Sequence, residues 1–188
     1  MSTAFDALVP PLMIELQTAL RSVDPDRVDV LRNAILQARH IFVAGKGRSG
    51  LYMRAFAMRL MHLGLAVYVV DDPTTPAIAA GDLLLIGSGS GRTPSQVGYA
   101  ARAKAIQVQV GLITAAESSP IGDNADVIVR INALTSKLVK PEATGSFQPM
   151  GNLFEQSLGL LLDLMTIQLM EALNLTSEQM FARHANLE

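Results

Sequence analysis

Residues 43–50 read Val-Ala-Gly-Lys-Gly-Arg-Ser-Gly (VAGKGRSG). A short apolar run, Ile41-Phe42-Val43, leads into this stretch, and a helical pattern from Ser49 to Leu63 leaves it. A strand that ends in a glycine turn and hands over to a helix is the opening unit of a parallel α/β sheet. The turn also fits G-x-G-x-x-G, and the acidic pair Asp71-Asp72 stands about twenty residues on, where a dinucleotide-binding fold holds a ribose hydroxyl. The stretch is therefore either a pyrophosphate turn or one wall of another anion site.

Working outward, short apolar strands and amphipathic helices alternate. Toward the N-terminus, residues 4–22 read as a helix with a break or kink at Pro10-Pro11. Asp24-Pro25-Asp26 then starts a second helix, to about Arg39, with an N-cap, a proline in the first turn and an acid beside it. Toward the C-terminus, Gly64 ends the helix after the glycine turn, and strands are expected at 66–70, 82–87, 108–114 and 127–131. A helix near 94–105 separates the third and fourth strands. A long helix from about Gly151 to Leu173 and a short one after Thr176 close the chain. The stretch from Asn132 to Pro149 is the one long irregular segment, and such segments often carry function.

This alternation predicts a three-layer αβα fold with a five-stranded parallel sheet covered on both faces. Five strands fit the flavodoxin-like order 2-1-3-4-5 better than a six-stranded dinucleotide fold. In that order strands one and three flank the switch point, outside whose carboxyl ends ligands bind. The two glycine-rich turns, 45–50 and 87–93, follow those strands and should converge on one crevice.

The second turn is chemically richer. Ser88, Gly89, Ser90, Gly91, Arg92 and Thr93 place three hydroxyls in six residues just before a helix N-terminus. Glycines admit an anion close to the backbone, and the amide N–H groups and helix dipole favour negative charge there. A terminal phosphate matches this supply of donors. The loop is not a Walker A motif, because it lacks the lysine and the required first glycine falls on Ile86. The dinucleotide fingerprint has no place for these hydroxyls, which reduces NAD to a minor alternative.

Composition sets the surroundings. The 188 residues suit one domain, 1–188, with 1–39 a helical segment packing on it or between subunits. Hydrophobic residues are 49% and charged residues 17%, as for a globular chain. Fifteen Lys and Arg face 17 Asp and Glu, with no basic run, which argues against nucleic acid as a partner. Cysteine is absent, so thiolate metal sites and disulfides are excluded. The first twenty residues lack the basic start of a signal peptide. Residues 153–170 could span a membrane by length, but Asp163 near their middle would cost about 2.5–3.5 kcal/mol there. A core or interface helix in a soluble, cytoplasmic protein is the expectation.

The two-loop pattern resembles the sugar isomerase (SIS) domain. More closely, GRSG and RAFAMRLMHLG (from residue 47), TPAI, GDLLL and SGSG with Thr93 (from residue 75), PMGNLFEQS (149–157) and RHANLE (183–188) are similar to the 6-phospho-3-hexuloisomerases, in register from about residue 40 to the end. The resemblance implies a cofactor-free, metal-free isomerase of the ribulose monophosphate pathway of formaldehyde fixation. Such enzymes interconvert a 3-hexulose 6-phosphate and fructose 6-phosphate, typically as tetramers. Ser49, Ser88, Ser90 and Thr93 match the family's phosphate-binding positions, with Gly47 and Gly89 in the same loops. Glu155 and His184 match its acid/base positions. Lys46 stands where a small residue is usual, and Arg92 where an acid often is.

The residues themselves leave alternatives open. Glu155 is either an acid/base group or an acid complementing a helix N-terminus. Arg48 either neutralises phosphate or an enediolate oxygen, or is a solvated loop charge. His62, in RLMHLG, is a substrate contact, or a packed residue near a helix end. His40 is expected at the surface, and Arg59 as structural. His184 lies in a tail that ordinarily frays, yet could reach a neighbouring subunit's crevice. An isomerase acting on an aldose such as arabinose 5-phosphate, and a non-catalytic phosphosugar-sensing module, remain alternatives.

Overall fold

The computed structural model describes residues 4–135, 137–138 and 145–187; the middle of the expected irregular segment lies outside these. Five parallel strands, β1 (Ile41–Gly45), β2 (Val67–Val69), β3 (Leu83–Gly87), β4 (Gln109–Thr114) and β5 (Val127–Arg130), form one sheet in the order 2-1-3-4-5. The expected order and three-layer architecture are both present.

Successive side chains on a strand point to opposite faces, and the two cores follow that alternation. Ile41, Val43, Leu83, Leu85, Val127 and Val129 pack into one core, with α2 (Pro25–Gln37), α3 (Gly47–His62) and α5 (Asn152–Ala172). Phe42, Ala44, Leu84, Ile86, Val110 and Leu112 enter the other, against α4 (Pro94–Ala105). α1 (Phe5–Arg21) lies along α5, and α6 (Ser177–Phe181) follows it. By length and composition α5 could cross a membrane. Here it is a core helix, with Phe154, Leu158, Leu162, Met165 and Leu169 all buried.

Three local outcomes differ from expectation. α1 runs unbroken through Pro10 and Pro11. The carbonyls their missing N–H groups leave free are those of Asp6 and Ala7, both exposed residues, where water is at hand to replace the lost donors. α3 begins at Gly47 rather than Ser49, inside the glycine turn. A short 3-10 turn, Gly122–Asn124, also lies between β4 and β5.

The β1–α3 turn explains its glycines by close approach. A Cβ on Gly50 would stand 2.7 Å from the Gly45 carbonyl oxygen, and one on Gly45 would stand 2.9 Å from the Gly50 Cα. Strand and helix backbones touch, as no side chain between them would allow. At the far end of α3, Gly64 takes a φ of +83° and lies against the Arg183 guanidinium.

Gly50→Ala should therefore lower stability by about 2–3 kcal/mol. Gly98→Ala, on the exposed face of α4 with open space around it, should raise stability by about 1 kcal/mol. Urea midpoints of the two variants test both signs, and a tolerated Gly50→Ala would contradict the close-approach argument.

Candidate active site

The turns after β1 and β3 open onto one crevice of about 390 Å³ at the carboxyl ends of the strands. Its walls include Gly47, Arg48 and Ser49 from the first turn, and Ser88, Gly89, Ser90 and Thr93 from the second. Three helices, α3, α4 and α5, begin at this crevice, where Gly47, Thr93 and Asn152 stand. Their N-terminal N–H groups and dipoles favour negative charge there. Ser49, Ser88 and Ser90 are each at most 9% exposed. Thr93 precedes α4 without using its hydroxyl as a cap. The Ser90 hydroxyl accepts the Arg92 N–H at 3.3 Å, which shapes the turn.

On the α5 side stands Glu155, in the helix's first turn. Arg48 crosses to it from α3. One guanidinium nitrogen, Nη1, donates to Asn152 Oδ1 at 2.7 Å and lies 3.4 Å from Glu155 Oε2. The guanidinium also sits 5.9 Å from the centre of the Tyr52 ring. The crevice thus offers hydroxyls and amides on one wall and a carboxylate–guanidinium pair on another. This is the equipment for holding a polyanion while moving protons.

Several neighbours carry no single-residue signal in the sequence. Asn152 orients Arg48. Thr135, whose buried hydroxyl has no partner among the described residues, lines the crevice beside Lys137. All three lie in or next to the irregular segment 132–149, which was legible as a candidate region, but nothing marked the individual residues.

The Asp71-Asp72 pair is spent on ion pairs. Lys46 Nζ lies 2.6 Å from Asp71 Oδ2, and Tyr99 donates to Asp71 Oδ1 at 2.6 Å. The hydrogen bond from Lys46 holds the Asp71 carboxyl below its usual value, and the same contact raises Lys46. Asp72 takes both Nη1 and Nη2 of Arg54. The ribose reading of these acids falls accordingly. His40 lies at the surface as expected, its side chain 43% exposed, with Nδ1 3.0 Å from the buried Asp82 carboxylate.

His62 and His184 are brought together, but away from this crevice. Arg183 donates to the His62 carbonyl at 3.1 Å, and the His184 ring stacks on His62 at 5.4 Å between centres. Arg59 Nη1 lies 3.4 Å from His62 Nδ1. The pair sits at the far end of α3, about 22 Å from Gly47 by the helical rise. A role for either histidine in its own chain's crevice is therefore corrected, because α3 points them the other way.

The residues from 34 to 156 match the family model of the SIS domain, and the chain belongs to that family. Within it, the chain is 43% identical over 183 residues to the 3-hexulose-6-phosphate isomerase of Bacillus subtilis, covering 96% of this chain and 97% of that one. It is 42% identical to the Mycobacterium gastri 3-hexulose-6-phosphate isomerase, over 93% of this chain and 86% of the relative. A Methanococcus jannaschii protein, whose crystal structure infers a molecular function of 3-hexulose-6-phosphate isomerase, shares the fold with a TM-score of 0.83. The two are 34% identical over 96% of this chain and 98% of the other.

Burial, then the charges of Arg59 and His184, hold His62 below the ordinary histidine value. The unfolded chain therefore takes up this proton first. The stabilisation is complete above about pH 6.5 and declines as the pH falls toward the folded-state value. His62→Gln should flatten the dependence of the urea midpoint on pH between roughly 7 and 5. An unchanged slope would show that His62 does not carry it.

Proposed function

We propose that the chain is an isomerase interconverting D-arabino-3-hexulose 6-phosphate and fructose 6-phosphate, in the ribulose monophosphate route of formaldehyde fixation. One observation carries the reading. In a chain this similar to 3-hexulose-6-phosphate isomerases, a two-loop anion cradle and the Glu155–Arg48 pair share a single crevice.

In this reading the phosphate binds among Ser49, Ser88, Ser90, Thr93 and the amides of Gly47 and Gly89, which leaves the sugar carbons toward α5. Moving the ketone from C3 to C2 removes the C2 proton, forms a 2,3-enediol and returns a proton to C3. The Glu155 carboxylate takes the C2 proton while the electron pair of that bond becomes the C2=C3 double bond and the C3 oxygen gains a proton. Collapse of the enediol then regenerates a carbonyl at C2 and delivers a proton to C3. Arg48, already beside Glu155, stabilises charge on the oxygens as it develops. A positioned acid/base group is worth about 10²–10⁴-fold. No resident cofactor or metal is required by these steps.

His184 and His62 enter by another route. The outer face of α5 exposes Leu160, Leu164 and Ile167, and α1 exposes Phe5, Met13 and Ile14, the last three at 57–79%. Apolar faces of this kind fit assembly into a homo-oligomer, for which a tetramer is our reading. In it the exposed His184 of one subunit serves the crevice of another, while His62 is buried beneath it as a packing partner. A cytoplasmic location, and no nucleic-acid or membrane partner, complete the proposal.

Fructose 6-phosphate incubated with the protein in deuterated water, followed by proton NMR, should lose its C3 proton signal or yield 3-hexulose signals. Exchange at C1 would mean aldose–ketose chemistry instead. No exchange at either carbon by folded protein would point to a binding module. Glu155→Gln should cut kcat at least 10²-fold while the fold is kept, and near-full turnover would remove Glu155 from the mechanism.

A further inference from the structure

Glu15 lies midway along α1, the helix that runs along α5. It is half-buried, and its carboxylate is committed to three successive residues more than 130 positions away. Oε2 accepts the Ser146 hydroxyl at 2.8 Å and Gln148 Nε2 at 2.9 Å, and Oε1 accepts the Phe147 N–H at 3.0 Å. The Ser146 hydroxyl oxygen in turn accepts the Gln148 N–H at 3.1 Å, and Gln148 is 9% exposed.

From this knot to the crevice is a matter of two residues. Met150 turns the chain with a φ of +58°, an unusual conformation for a side chain of its size. Gly151 caps α5, and both residues line the crevice. Asn152 and Glu155 then meet Arg48. A packing contact between α1 and α5 has no need of a carboxylate, and drawing one part-way out of water is costly unless donors replace the water. Here three donors do, all of them on the segment that delivers α5 to the site.

We propose that Glu15 is a positioning residue of the active site. By clamping residues 146–148 it sets where the chain turns into α5, and so where Glu155 and Arg48 stand relative to the substrate. The N-terminal helix is then part of the catalytic apparatus, although it contributes nothing to the crevice wall. This inference rests on the isomerase reading of the crevice given above.

The test is steady-state turnover of fructose 6-phosphate by Glu15→Ala and Glu15→Gln, beside thermal midpoints and calorimetric binding of inorganic phosphate. A misplacement near one ångström at reacting groups costs up to about 100-fold. Glu15→Ala should lower kcat roughly 10- to 100-fold while KM and the phosphate Kd stay within about threefold. Glu15→Gln, which keeps one acceptor oxygen, should lose less and is the variant to use should the alanine form fail to fold. Wild-type kcat in the folded variants, whatever the change in midpoint, would overturn the proposal. So would a parallel loss of turnover and phosphate affinity, because that would signal general loosening. Glu155→Gln separates the two readings. If it is inactive and Glu15→Ala is fully active, only the positioning role fails; if it keeps wild-type turnover, the reading of the crevice fails, and with it the route by which Glu15 acts.

Discussion

The contact of the Gly45 carbonyl with the Gly50 backbone is the constraint on which the site depends. It lets β1 pass into α3 across one intervening residue, so the first turn of that helix faces the carboxyl edge of the sheet. β1 is central, paired with β2 on one side and β3 on the other. Whatever α3 presents at its N-terminus therefore sits beside whatever follows β3. Ser49 meets Ser88 and Ser90 for that reason, and Arg48 is thrown across the gap to α5. A bulkier turn would move α3 away from the sheet and separate the two walls of the crevice.

Charge in the crevice is arranged as well as plentiful. Arg48 is shared between Asn152 and Glu155, which keeps both the guanidinium and the carboxylate in defined places before a substrate arrives. Lys46 lines the same crevice, yet its ammonium is held by Asp71. The balance favours an anion with a carboxylate–guanidinium pair beside it, and the hydroxyl-rich loop supplies geometry that point charges alone lack. At the other end of α3 the tail is docked by Arg183 and His184 on His62. One helix thus carries a binding end and a histidine end, separated by its own length.

Much of this was legible from local pattern. The apolar run Ile41-Phe42-Val43 ahead of the glycine turn marked a strand, and the glycine turns after strands one and three marked the crevice in the 2-1-3-4-5 order. The Asp24 cap and Pro25 start α2 where expected. What escaped was whatever depends on distant chain. Arg48 meets Asn152 and Glu155 across 104 and 107 residues, His40 meets Asp82 across 42, and Glu15 reaches Gln148 across 133. No local period encodes such pairs. Of the break or kink assigned to Pro10-Pro11, the break does not form: the carbonyls freed there belong to exposed residues near the helix start, open to water. The histidines were legible as chemistry, but their position was not, since only the path of α3 sets it.

The most direct test of the central claim is a crystal structure of the protein with fructose 6-phosphate. Phosphate density should lie between the two glycine turns, within hydrogen-bond reach of Ser49, Ser88, Ser90 and Thr93, with C2 and C3 of the sugar next to the Glu155 carboxylate. Phosphate bound elsewhere, or a sugar whose C2 and C3 lie out of reach of Glu155, would contradict it.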